Sequence, residues 1–158
     1  MRVIDIVPGT TVDGPGLRTS IYFAGCSHHC PGCHNPQTHN PAGGQEMSVD
    51  DIIAVVEENG FDVTFTGGDP LMQVDDLCTL ASKLRERGYG LWCYTGYLFD
   101  QVVADDKLSQ ILPYLEVLVD GPFLEGERDV TLRFRGSRNQ RLVDVAASTA
   151  GNIVDYSD

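Results

Sequence analysis

The stretch SVDDIIAVVEENGFDVTFTGGDP, residues 48–70, contains one full repeat of helix, strand and ligand-type loop. Ser48 stands where a helix N-cap accepts a backbone N–H, and Asp51, three residues on, completes a capping box. Val49, Ile52, Ile53 and Val56 recur at three- and four-residue spacing, which gives a helix one apolar face, and Gly60 supplies the left-handed stop. Phe61 to Phe65 then reads as a strand, and TGGDP comes directly after it.

The same alternation extends in both directions. Upstream, Thr19 to Phe23 reads as a strand. Downstream, a second amphipathic helix runs from about Val74 to Arg87, with Leu77, Leu80, Ala81 and Leu84 inward and Gly88 ending it. A strand at Leu91 to Tyr94, a weaker helical signal within Leu98 to Leu112 and a strand at Val117 to Val119 complete the pattern. Strands separated by helices imply right-handed crossovers and a largely parallel sheet, hence an α/β fold. A complete eight-stranded barrel takes about 250 residues. At 158 residues the chain is expected to form a partial TIM-like barrel or open curved sheet, as one domain over residues 1–158 with its end, about 147–158, loose.

The segments at the strand ends matter most for function. GCSHHCPGCHN (25–35) comes after the first strand, TGGDP (66–70) after the second, TGY (95–97) after the third and DGPF (120–123) after the fourth. In parallel α/β folds all of these lie along the carboxyl edge of the sheet, where ligands bind.

The formal net charge of −12 argues against nucleic acid or an anionic membrane surface as a partner, since both need an exposed cationic field. Neither a signal peptide nor an apolar run long enough to span a membrane is apparent, so a cytoplasmic protein is expected. Five cysteines in a reducing compartment favour metal ligation or redox chemistry over a disulfide framework.

Cys26, Cys30 and Cys33 form CxxxCxxC, a spacing that wraps three thiolates around one inorganic centre. A zinc site of three cysteines and one histidine is open to this loop, because His28, His29, His34 and His39 lie close by. An iron-sulfur carrier would need Cys78 or Cys93 as a fourth ligand, and both fall at positions typical of buried, inert thiols.

CxxxCxxC after a first strand resembles the signature of the radical S-adenosylmethionine superfamily. That resemblance implies a [4Fe-4S] cluster on Cys26, Cys30 and Cys33, with one iron open to chelate the amino and carboxylate groups of S-adenosylmethionine. VDGPGLRT (12–19), YTGY (94–97), LVDGPF (118–123) and FRGSRNQR (134–141), with TGGDP, resemble the activases of anaerobic ribonucleoside-triphosphate reductase. Activases of other glycyl-radical enzymes, such as that of pyruvate formate-lyase, share the VDGPG and cysteine motifs but are longer. The reaction implied is reductive cleavage of S-adenosylmethionine with an electron from a flavodoxin-type donor, followed by hydrogen abstraction from a glycine of the partner reductase.

The resemblance also implies site roles. Gly32, Cys33 and His34 contact the adenine end, and Gly67, Gly68 and Asp69 hold the methionyl end. Tyr94 and Asp120 line the pocket or bind a structural cation. Asp13 orients the target glycine loop, although Asp-Gly-Pro is equally an ordinary turn. Five of the eleven basic residues fall within residues 128–141. Arg133, Arg135, Arg138 and Arg141 are therefore candidates for docking the reductase. An edge strand with Leu132 and Phe134 alternating is the plainer reading of that segment.

Overall fold

The computed structural model describes residues 1–33 and 35–157; His34, expected among the cofactor contacts, lies outside them. Among the described residues seven strands form one sheet: β1 (Arg2–Thr10), β2 (Arg18–Phe23), β3 (Gln45–Glu46), β4 (Asp62–Gly67), β5 (Leu91–Tyr94), β6 (Val117–Asp120) and β7 (Arg141–Asp144). Their order is β3-β1-β2-β4-β5-β6-β7. β2, β4, β5 and β6 are parallel neighbours in chain order, and β1 and β7 flank them antiparallel. The fold is therefore α/β with a mixed sheet around a parallel centre.

The four central strands are those expected from the sequence, and so are the helices between them. In α1 (Val49–Asn59) the Ser48 hydroxyl accepts the Asp51 N–H at 3.0 Å, Asp51 accepts the Ser48 N–H at 3.2 Å, and Gly60 closes the helix at φ 74°. Ile52, Ile53 and Val56 bury its apolar face. α2 (Val74–Glu86) buries Leu77, Leu80, Ala81 and Leu84. The weaker helical region divides into α3 (Phe99–Ala104) and a 3-10 segment, Leu108–Tyr114. α2 packs against both α1 and that 3-10 segment.

One expectation needs correction, and one strand was not expected. That strand is β1, ahead of the one read first in the sequence, and it pairs along β2 through two register shifts. The arginine-rich segment is no edge strand. Residues 130–134 are turns and bends, Phe134 takes the left-handed φ of 65°, and the antiparallel edge falls later, in β7. Toward the chain end, the Tyr156 N–H donates to the Leu142 carbonyl at 2.7 Å, the Asp144 N–H to that of Val154 at 2.9 Å, and the Tyr156 ring meets Trp92 edge-on at 5.1 Å.

Candidate active site at the carboxyl edge

The chain leaves β2 at Phe23 and turns at once into the cysteine loop. Backbone bonds hold the base of this loop: Gly25 N–H to the Thr38 carbonyl at 2.7 Å, and Asp69 N–H to the Gly25 carbonyl at 2.7 Å. The loop therefore sits directly against the end of β4. Gly67 and Gly68 permit this approach, because a Cβ at Gly67 would strike the Phe23 backbone and one at Gly68 would strike the Gly25 and Thr38 carbonyls. The glycine pair expected to admit a ligand first admits the cysteine loop itself.

A cavity of about 450 Å³ opens above these strand ends. Its wall carries Asp13, Cys26, Cys30 and Cys33, then Thr66 to Gly68, Tyr94 to Gly96, Gly121, and Arg135 with Gln140. Every glycine-rich or cysteine-bearing segment read from the sequence thus meets in one place. The three cysteines are half-buried, whereas Cys93 is fully buried in the core and Cys78 packs against that core; neither is on the wall. Burial pushes the Cys26 thiol up, while the His28 and His29 amides at its sulfur pull it down. The Asn35 amide donates to the Cys33 sulfur at 3.4 Å. Such N–H···S contacts are one of the protein's levers on a cluster's potential.

Asp13 is positioned from strands. Ser20 donates its hydroxyl to Asp13 Oδ2 at 2.8 Å, with the Tyr22 hydroxyl at 3.5 Å, and the Thr64 hydroxyl donates to the Asp13 carbonyl at 2.8 Å. Burial raises the Asp13 carboxyl above its ordinary range despite those bonds, and burial together with Asp13 pushes Tyr22 up to about 12. Beneath the VDGPG turn lies a buried guanidinium, Arg18. It donates to the Thr64 hydroxyl at 2.8 Å and the Val63 carbonyl at 2.9 Å, and stacks on Trp92 at 5.5 Å. Gly14 leaves it room, since a Cβ there would lie 2.7 Å from the Arg18 side chain.

Other expected contacts lie elsewhere. The Asp69 carboxylate is not on the cavity wall. It is buried and accepts from Leu71 N–H at 3.0 Å, Thr95 hydroxyl at 2.9 Å and Gly96 N–H at 3.0 Å, and it pairs with His28 Nε2 at 2.6 Å. Asp120 is also fully buried off the wall, accepting from the Phe99 N–H at 2.8 Å and from Arg141 at 3.0 and 2.5 Å. Arg141 thereby holds the buried Asp120 carboxylate. Arg135 faces the cavity and donates to the Gln140 carbonyl at 3.0 Å; Arg133 stacks on Phe134 at 4.7 Å, and Arg138 is exposed. Gly32 is exposed in the cysteine loop, off the wall. Tyr94 does line the cavity, donating its hydroxyl to the Phe134 carbonyl, and burial raises it well above the ordinary phenol range.

Cys26, Cys30 and Cys33, half-buried on one cavity wall, are a donor set that a cluster could use. No three Cys, His, Asp or Glu side chains among the described residues converge as a mononuclear site requires. Zinc would draw its thiolates to about 2.3 Å from one point. A cubane asks each thiolate to reach a different iron.

Comparison with known proteins agrees. Residues 12–143 match the family model described as a 4Fe-4S single cluster domain. The anaerobic ribonucleoside-triphosphate reductase-activating protein of Salmonella typhimurium is 35% identical over 150 residues, covering 89% of this chain and 96% of that protein. The chain belongs to this activating-protein family. Its members of the same name in Escherichia coli K12 and Enterobacteria phage T4 are 35% and 32% identical, over 84% and 87% of this chain and 92% and 90% of theirs. The fold alone is shared with QueE from Escherichia coli, at a TM-score of 0.56 and 18% identity, over 91% of this chain and 64% of that one. Two functional features of this activating-protein family member were not foreseen from its sequence. The His28–Asp69 pair joins residues 41 apart, while Arg18 reads only as part of the VDGPGLRT motif and Ser20 as a strand position. Gln140, within the FRGSRNQR segment read for its arginines, was not singled out either; its Oε1 accepts the Gly136 and Ser137 amides at 2.9 and 3.2 Å.

Proposed function

We propose that this protein activates an anaerobic ribonucleoside-triphosphate reductase by generating a glycyl radical on it. The observation that carries this reading is the convergence of Cys26, Cys30 and Cys33 with Gly67, Gly68 and Asp13 on one cavity, in a chain of the activating-protein family.

Cys26, Cys30 and Cys33 would hold a [4Fe-4S] cluster. With S-adenosylmethionine it supplies the one-electron chemistry that breaks a carbon–sulfur bond of that cosubstrate. The chain's own residues supply position and dryness. Strand-end carbonyls at Thr66 to Gly68 accept from the methionyl ammonium, a contact that glycine keeps open. Tyr94 and the Phe134 segment form the opposite wall. Ser20 and Tyr22 converge on Asp13 Oδ2, and Asp13 Oδ1 is the oxygen assigned to a backbone N–H of the partner's glycine loop. Exposed Val12 and Val130 at the cavity mouth cover that loop and exclude water from it. Docking by charge is assigned to the cluster of Arg133, Arg135, Arg138 and Arg141, of which Arg138 is exposed.

The sheet is read as part of a barrel, within one domain. Support comes from the chain-order sequence of the parallel strands, without the reversal of a doubly wound sheet, and from α2 packing against the helical elements before and after it. A cytoplasmic setting and a flavodoxin-type reductant suit the chemistry, and no helix among the described residues is long and apolar enough to cross a membrane.

The deciding experiment is anaerobic reconstitution with iron and sulfide, reduction, and electron paramagnetic resonance with and without S-adenosylmethionine and the organism's reductase. A cluster signal perturbed by S-adenosylmethionine, and a glycyl-radical doublet seen only with reductase present, is expected. A reduced cluster indifferent to S-adenosylmethionine would refute the proposal.

A further inference from the structure

We propose that His28 is a positioning residue: paired with Asp69, it clamps the cysteine loop to the ends of β4 and β5, so that the loop and the Thr95–Tyr97 turn behave as one rigid unit. The purpose of the clamp rests on the cluster reading above; its existence does not.

Four polar groups meet on one carboxylate whose side chain is 1% exposed. Leu71 N–H comes from the turn after β4, the Thr95 hydroxyl and Gly96 N–H come from the end of β5, and His28 Nε2 comes from the cysteine loop at 2.6 Å. Oδ2 takes three of these contacts and Oδ1 takes the Leu71 N–H and, at 3.1 Å, the same Thr95 hydroxyl, so this buried carboxylate is tied to the protein rather than turned toward a ligand ammonium. In this chain the acidic residue of TGGDP is therefore an internal tie, and the methionyl end is left to the backbone of Thr66 to Gly68.

Packing fixes the histidine from its other sides. Its ring lies on Gly96, where a Cβ would come within 2.5 Å of His28 Cδ2, and the Tyr97 ring meets it edge-on at 4.6 Å. Gly96 thus has a steric reason to lack a side chain even though its backbone needs no left-handed φ. His28 is two residues from Cys26 and two from Cys30, and its own amide contacts the Cys26 sulfur. A displacement of the ring moves the backbone between the first two ligating cysteines. Partners of this kind orient a metal site's ligands, and their removal typically weakens metal retention about 10- to 100-fold.

The test compares wild type, His28→Ala and His28→Gln in two forms. In the metal-free protein, hydrogen exchange is followed at residues 26–33 and 95–97. His28→Ala is expected to speed exchange about tenfold at both segments together, and His28→Gln, whose amide can still reach Asp69, to restore most of the protection. In the reconstituted protein, His28→Ala is expected to assemble the cluster but release iron to a chelator about tenfold faster, with a shifted reduced-cluster resonance spectrum, and His28→Gln to revert toward wild type. Gly96→Ala should weaken the wild-type protein and be tolerated in the His28→Ala background.

Exchange unchanged in His28→Ala, or faster only at 26–33 with iron release equal to wild type, overturns the clamp. Should wild type itself assemble no cluster while the two segments still loosen together, the cluster reading falls and the clamp stands.

Discussion

Replacing Gly68 by alanine separates the two jobs a glycine-rich strand end can have. Its φ is ordinary, so alanine there would stabilise by about 0.4–1 kcal/mol through the unfolded chain if space allowed. Space does not allow it. The new Cβ would strike the Gly25 carbonyl oxygen and lie 2.8 Å from both the Gly25 carbonyl carbon and the Thr38 carbonyl oxygen, all of them backbone atoms that no rotamer change can move. The loop base must then retreat, at an overpacking cost of about 1–3 kcal/mol. The bonds linking Asp69 N–H to Gly25 and Gly25 N–H to Thr38, both 2.7 Å, stretch with it, at about 1 kcal/mol each. A net loss of about 2–4 kcal/mol is expected. With a urea dependence of about 2 kcal/mol per molar, the unfolding midpoint of the metal-free protein drops by roughly 1–2 M. Circular dichroism in urea measures it directly, with iron content after reconstitution as the functional companion. If Gly68→Ala were as stable as wild type or more so, close approach would not be the reason for this glycine, and ligand contact alone would have to explain it.

Arg141→Met should destabilise by about 2–4 kcal/mol in urea titration, because the fully buried Asp120 would lose its ion-pair partner and keep the Phe99 amide; Asp120→Asn in the same chain should recover much of the loss. For Asp13 the folded pKa lies above the unfolded value, so the folded state holds the proton more tightly and stability falls as pH rises from about 4 through the folded pKa. Asp13→Asn is therefore expected to flatten that fall and leave the protein at least as stable at neutral pH, while glycyl-radical formation is lost. Tyr94→Phe frees the Phe134 carbonyl, costs about 1–2 kcal/mol, and should speed hydrogen exchange across residues 130–136.

The parallel centre of the fold was legible because each of its strands is a short apolar run ended by glycine or proline signals, and α1 and α2 carry clear three- and four-residue periodicity. β1 was not legible. Its RVIDIVPGT mixes strand formers with Pro8 and Gly9, and only Val3 is fully buried, so no clean alternation marks it. The arginine-rich segment misled in the opposite direction, since a two-residue alternation at Leu132 and Phe134 also suits a chain in turns. Within the site, the cysteines and glycines were readable because their chemistry depends on residue type and local spacing. Asp69, Asp120 and Arg141 were not: whether a charged side chain faces a cavity or is tied up beneath it depends on partners as remote as His28, 41 residues away.

The chain's one tryptophan, Trp92, is almost wholly buried, and its ring touches both the cavity wall at Phe134, 5.4 Å away, and the chain end at Tyr156, with the Arg18 cation on its face. An indole so placed is an optical reporter already installed beneath the mouth of the cavity. Its emission should register any ligand or partner that displaces Phe134, so occupancy of the site can be followed in the unmodified protein without a label.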